Sequence, residues 1–204
     1  MYVTFHGNTC IRLQEKTQSR DLTVVVDPYT PKGVTVPGIG AGNVVMATRG
    51  DKDLKGVSGE PFEITGPGEY EIKGVMIHGT PLADATVYRF DVGNVRFVHV
   101  GLFKGDVPDG LIESFGDVDV LFVPVGGEDT LKPHQAVNLI QAIQPRVVVP
   151  VAYKVKGLDD KHGKLDAFLK EIGAQDVKAI DKFKAIRKNL PDDDMAVVVL
   201  QPPK

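Results

Sequence analysis

The 204-residue chain holds a single cysteine, Cys10, so it cannot close an internal disulfide. It also lacks any uninterrupted apolar run near the roughly 18 residues that a membrane-crossing helix needs. No block of lysine and arginine gathers beside aromatic residues, and the formal net charge is -3 with a pI near 5.9. That excludes the electrostatic footprint of a nucleic-acid binder. The opening stretch "YVTFH" carries no basic segment followed by a long apolar one, so no secretory leader is expected. These absences predict a cytoplasmic protein that binds neither nucleic acid nor membrane. Clustered metal-ligand spacings such as H-E-x-x-H or paired C-x-x-C are missing as well.

What is present is enough apolar sequence for a sizeable core. With 42% hydrophobic and 25% charged positions, residues 1–204 are expected to form a single domain. The first half is punctuated like a β-protein. Short runs rich in Val, Ile, Phe and Tyr ("CIRLQ", "LTVVVD", "NVVMAT", "TVYRFDV", "VRFVHVG") alternate with Gly, Pro, Asn and Asp. After about residue 107 the rhythm changes: helix in "PDGLIESFG", buried strand in "VDVLFVPVGG", amphipathic helix in "KPHQAVNLIQAIQ", buried strand in "RVVVPVAY". A further helix, "KLDAFLKEIG", and a closing strand, "MAVVVLQP", complete the chain. Strand-helix-strand units behind a β-meander predict an α/β fold in which two sheets pack together with helices outside.

Several features could carry chemistry. "GIGAGN", Gly38 to Asn43, has the look of a phosphate-cradling loop, but Asn43 takes the place of the last glycine and a strand follows where a helix is required. Cys10 runs into a strand and reads as a small buried hydrophobe. Asp51 and Asp53, one residue apart beyond the strand "NVVMAT", could converge on a divalent cation or act as acid and base, joined by His6, His78 or His99 if the fold assembles them. His134 and His162 read as solvated. "GPGEYEIKG", Gly66 to Gly74, reads as a turn feeding a strand, with Glu69 and Glu71 in solvent and Tyr70 packed inward.

In order along the chain, "DPY", "VVMATRGDKDL", "GPGEYEIKG", "VHVG", "GDVDVLFVPVGG" and "QPRVVVPVAYK" resemble the metallo-β-lactamase superfamily. Within it, the chain is similar to the small bacterial metal-dependent hydrolases akin to the L-ascorbate-6-phosphate lactonase group. The resemblance implies a four-layer αββα sandwich, two mixed β-sheets with outer helices, holding one or two metal ions at one edge. It also implies a ligand set that this sequence does not keep. In the family signature Thr-His-x-His-x-Asp-His, Thr48 and Asp53 are retained, while Arg49, Asp51 and Leu54 stand at the three histidine positions. Leu102 replaces the downstream aspartate and Ala152 the final histidine.

Arginine cannot ligate a metal, because its guanidinium stays protonated. It can fork onto a carboxylate, and Asp51 or Asp53 is the partner expected for Arg49. The resulting expectation is a degenerate metal site in a non-catalytic protein that needs no cofactor and is retained to bind a small anionic ligand or a protein partner. The alternative is a hydrolase of lactones, esters or phosphodiesters with a non-standard single-metal site for Zn²⁺, Mn²⁺ or Mg²⁺, built from Asp51, Asp53, His99 and Asp27. A metal-free hydrolase with His99 or His78 as base and Thr48 or Ser58 as nucleophile is a third, weaker alternative.

Overall fold

A computed structural model of the chain describes residues 1–18, 21–29, 39–50, 54, 56–158 and 161–203. In chain order the first strands are β1 (Tyr2–Phe5), β2 (Ile11–Lys16), β3 (Asp21–Val26), β4 (Gly40–Ala41), β5 (Val44–Met46), β6 (Val57–Ser58), β7 (Phe62–Ile64), β8 (Gly68–Ile72), β9 (Val75–Leu82), β10 (Ala85–Val92) and β11 (Val95–His99). Helix α1 (Asp109–Phe115), β12 (Val120–Pro124), α2 (Pro133–Ile143), β13 (Val147–Val151), α3 (Leu165–Glu171), β14 (Phe183–Lys184) and β15 (Ala196–Val197) follow.

Two sheets result. The first runs β14-β1-β2-β3-β5-β7, and the second runs β15-β13-β12-β11-β10-β9-β8. Both are mixed: hairpin neighbours pair antiparallel, whereas β3-β5-β7 and β11-β12-β13-β15 are parallel. The β8–β9 hairpin turns on Lys73 and Gly74, both at positive φ (51° and 69°), the pair of left-handed residues that matches the twist of the strands. Tyr70 leans on the core from β8 while Glu69 and Glu71 stand exposed, as their alternation requires.

One apolar core joins the sheets: Val24, Val26, Val44, Met46 and Ile64 of the first meet Tyr88, Phe90, Phe97 and Phe122 of the second. Phe90 stacks on Phe97 and Phe97 on Phe122, with ring centroids 5.3 and 6.1 Å apart. Helices α1 and α2 are crossovers between parallel strands, and the right-handedness of such units puts both on the outer face of the second sheet. Arg89, on that face, donates to Ser114 O of α1 at 2.8 Å, and α3 packs beside α2. Among the described residues the outer face of the first sheet carries no helix. There Cys10, Val25, Ile39 and Val45 form a separate cluster, with Tyr29, Leu54 and Val57 packed against it.

The closing strand is shorter than "MAVVVLQP" suggests. Val198 N–H still reaches Val148 O at 2.8 Å, but the next bond toward β15 would have to come from residue 150, a proline with no N–H. The chain therefore leaves the ladder, and Val199 O accepts from Ile180 N–H at 3.0 Å instead.

Candidate functional site

The edge where the family resemblance places its metals lies beyond the carboxyl ends of β3, β5, β11 and β13. Asp27 follows β3 with a left-handed backbone, φ 49°. Its carboxylate accepts twice from Thr48: the backbone N–H at 2.6 Å and the hydroxyl at 2.8 Å. Thr48 is buried, and its own carbonyl takes the Thr86 N–H at 2.7 Å. Gly101, at φ 72°, closes over this pair so tightly that a Cβ there would sit 2.5 Å from Thr48 Oγ1.

His99 is fully buried beside them. Its Nδ1 accepts from Gly101 N–H at 3.0 Å, so the ring proton belongs on Nε2, which donates to Thr9 O at 2.9 Å. Burial pushes its pKa below the ordinary histidine value, against the pull of Asp27, and the neutral tautomer just described is the form that the site holds. Both nitrogens of the histidine in the expected single-metal set are thus occupied by backbone.

The remaining positions are plainly placed. Arg49 is exposed, and its Nη2 lies 3.4 Å from Asp84 Oδ2 at the β9–β10 turn. The expected partners, Asp51 and Asp53, lie outside the described residues. Leu54 and Leu102 are half-buried. Ala152 is fully buried at φ 51°, donating its N–H to Asn8 O at 2.5 Å. Asp27 and Ala152 both hold a conformation that is uncommon for non-glycine residues, and both sit at this edge.

The loop joining β1 to β2 is the hub that the sequence reading missed. Besides Thr9 and Asn8, it offers His6 O to the Tyr29 hydroxyl at 3.3 Å. Asn8 Oδ1 also meets His162 Nε2 at 3.0 Å. His162 is therefore half-buried rather than solvated: Gly163 N–H bonds Gly126 O at 2.7 Å and folds its charged loop back onto the edge. The dipeptide Gly7-Asn8, both at positive φ, was the available signal for a tight loop with a usable amide. His6 itself is pushed down to about 4 by burial and by the neighbouring Arg12. His78 sits on β9 at 3.4 Å from Glu69, and His134 is exposed at the start of α2. The Cys10 thiol is pushed up by burial and by Asp27, so it stays a protonated hydrophobe.

Chemically, the described residues of this edge are chiefly hydrogen-bonded neutral donors and acceptors around the Asp27 carboxylate. Arg49 cannot ligate, Leu102 and Ala152 carry no donor atom, and His99 has no free lone pair. Among the described residues no three His, Cys, Asp or Glu side chains stand close enough to hold a metal ion. The described residues do not fit a divalent cation, although the fold is one in which such ions are expected.

Residues 2–152 match the beta-lactamase superfamily domain. A crystal structure of a candidate Zn-dependent hydrolase of the metallo-β-lactamase superfamily from Thermotoga maritima superposes with a TM-score of 0.82 at 26% identity, covering 98% of this chain and 100% of that one. The chain belongs to the metallo-β-lactamase superfamily. Several of its curated relatives are named UPF0173 metal-dependent hydrolases, and others only UPF0173 proteins. The hydrolase from Natranaerobius thermophilus is 30% identical over 129 residues, 57% of either chain, and the one from Thermococcus onnurineus is 29% identical over 100 residues, 42% of this chain and 44% of that protein. The chain thus spans about half the length of these two relatives. The αββα sandwich that the sequence implied is the fold of this superfamily, and no described helix is long and apolar enough to cross a membrane.

Proposed function

We propose that this metallo-β-lactamase-fold chain is a non-catalytic descendant, its metal site degenerate, retained to bind a small anionic ligand or a protein partner. The observation that carries the reading is His99, whose two ring nitrogens are taken by Gly101 N–H and Thr9 O. A metal ligand needs a free lone pair and usually an orienting partner on the other nitrogen; His99 has the second on both sides and the first on neither. Arg49 supports the anionic ligand. Its guanidinium is exposed at the edge, and its contact with the still more exposed Asp84 is one that a phosphate or carboxylate can displace.

The relatives' names favour a second reading, a metal-dependent hydrolase with a single-metal site drawn from Asp27, Asp51, Asp53 and His99. Elemental analysis of protein purified without chelators or a histidine tag separates the two, together with thermal shifts in Zn²⁺, Mn²⁺, Mg²⁺ and inorganic phosphate. The expected result is no stoichiometric metal, no concentration-dependent rise in Tm with any of the ions, and a rise with phosphate. Stoichiometric metal, or a Tm that climbs with metal concentration as binding to the native state demands, establishes the hydrolase reading instead.

A further inference from the structure

Arg146 precedes β13 and Ala152 follows it, so the two mark opposite ends of the sandwich. At the Arg146 end, α2, the end of α3 and the Pro191–Met195 segment enclose a cleft of about 610 Å³. Its apolar lining includes Val137, Ile140, Ile172 and Met195, the last of them 40% exposed. Carboxylates of Glu171, Asp192, Asp193 and Asp194 surround that lining.

The charge around the cleft is not balanced. Arg146 is the one cationic side chain in the lining, and it is already committed. Its Nε lies 3.3 Å from the buried Asp119, while its Nη1 lies 2.7 Å from Asp192 Oδ1 and donates to Pro191 O at 2.7 Å. These contacts fasten the Pro191–Met195 segment in place. Among the described residues no cation pairs with Glu171, Asp193 or Asp194. A ring of carboxylates alone is a solvated rim. Here it borders apolar surface that water covers at a cost, and an occupant must answer both features.

We propose that this cleft docks a basic amphipathic helical segment of a partner protein. Apolar side chains of that segment cover Val137, Ile172 and Met195, and its lysine or arginine heads meet Glu171, Asp193 and Asp194. This is the helix-in-groove mode of recognition, with charge complementarity selecting the partner. A small polyvalent cation would satisfy the carboxylates but leave the apolar lining wet. The inference is independent of how the Thr48–His99 edge is read.

The test is fluorescence anisotropy of a labelled leucine–lysine amphipathic helix of about 14 residues, long enough to fold on the surface, titrated with the full chain. The controls are a peptide of the same composition scrambled to remove its apolar face, the double variant Asp193→Lys/Asp194→Lys, and Met195→Ser. Saturable binding is expected, weakened at least about tenfold by the double variant and by scrambling, and weakened measurably by Met195→Ser and by added salt. Thermal unfolding of both variants controls for folding, and these exposed substitutions should leave Tm nearly unchanged. Equal binding of the two peptides would reduce the cleft to a patch of surface charge and overturn the proposal. Indifference to the double variant, or no saturable binding, would do the same. Concentration-dependent dimerisation that Met195→Ser abolishes would show a second copy of this chain as the occupant.

Discussion

At the Thr48–His99 edge, strand ends are tied by hydrogen bonds in which a neutral histidine, a hydroxyl and backbone amides do most of the donating. At the opposite end, one carboxylate does the tying with full charges. Asp119, 4% exposed, accepts Arg96 N–H at 2.9 Å, faces Arg146 at 3.3 Å and bonds the Arg187 guanidinium. Both ends contain a buried aspartate, yet among the described residues only Asp119 is surrounded by cations. The difference teaches that residue type alone does not locate a metal site in this fold. Lone-pair availability bears on it too: among the described residues at the edge where the superfamily resemblance puts its ligands, the lone pair of His99 is taken by Gly101 N–H.

The largest effect should come from breaking the neutral end. His99→Ala removes a fully buried ring and leaves Gly101 N–H and Thr9 O without partners, so unfolding in urea should show a loss of about 4 kcal/mol. The pH dependence sharpens the comparison. His99 and His6 both titrate below the ordinary value of 6.5 when folded, His6 at about 4. Above pH 6.5 both are neutral in either state and their contribution to stability is complete. As pH falls below 6.5 the unfolded chain takes up protons that the native chain refuses, so stability drops through the window down to about pH 4. In His99→Ala the slope across that window should be shallower than in the parent. An unchanged slope would mean that His99 is protonated in the native state, and the neutral tautomer assigned to the edge would be wrong.

Breaking the charged end should cost somewhat less. Asp119→Ala strands Arg146 and Arg187 and frees Arg96 N–H, but both guanidiniums are partly exposed and can be rehydrated, so about 3 kcal/mol is expected. Because the carboxylate is buried, raising the salt concentration should leave most of that difference in place. A loss that disappears in high salt would make the Asp119 network a surface effect and erase the contrast between the two ends.

Much of the architecture was legible in the sequence. The period-two runs of the first half and the apolar runs flanking "KPHQAVNLIQAIQ" name the strands and helices that form the two sheets and their helical layer, because burial of alternate or continuous apolar positions is a local property. The closing strand is shorter than its sequence suggests, since nothing local to "MAVVVLQP" reveals that Pro150 withholds the bond that would extend it. The site was legible only as substitutions. Through the family resemblance Arg49, Leu102 and Ala152 read as replacements, and that reading rests on the sequence alone. The destination of His99's nitrogens could not be read, because Thr9 lies 90 residues away from it in sequence. The half-burial of His162 is hidden from the sequence for the same reason: its partner, Asn8, is 154 residues distant. Asp84 as the neighbour of Arg49 depends on the β9–β10 turn reaching the β5 end, which only the packing of the two sheets determines.

The smallest effect concerns that last pair, an exposed contact between full charges at the edge. Arg49 and Asp84 are 36% and 76% exposed at the side chain and 3.4 Å apart, a pair that water and salt weaken and that ordering two mobile side chains opposes. Asp84→Ala should therefore shift stability by no more than about 0.5 kcal/mol. It should also free the guanidinium, so that the same concentration of inorganic phosphate raises Tm more in the variant than in the parent. A destabilisation closer to that of Asp119→Ala would show that Arg49 fastens the β5 end to the β9–β10 turn. The edge would then be held by charge after all, and its arginine would have no room for an incoming anion.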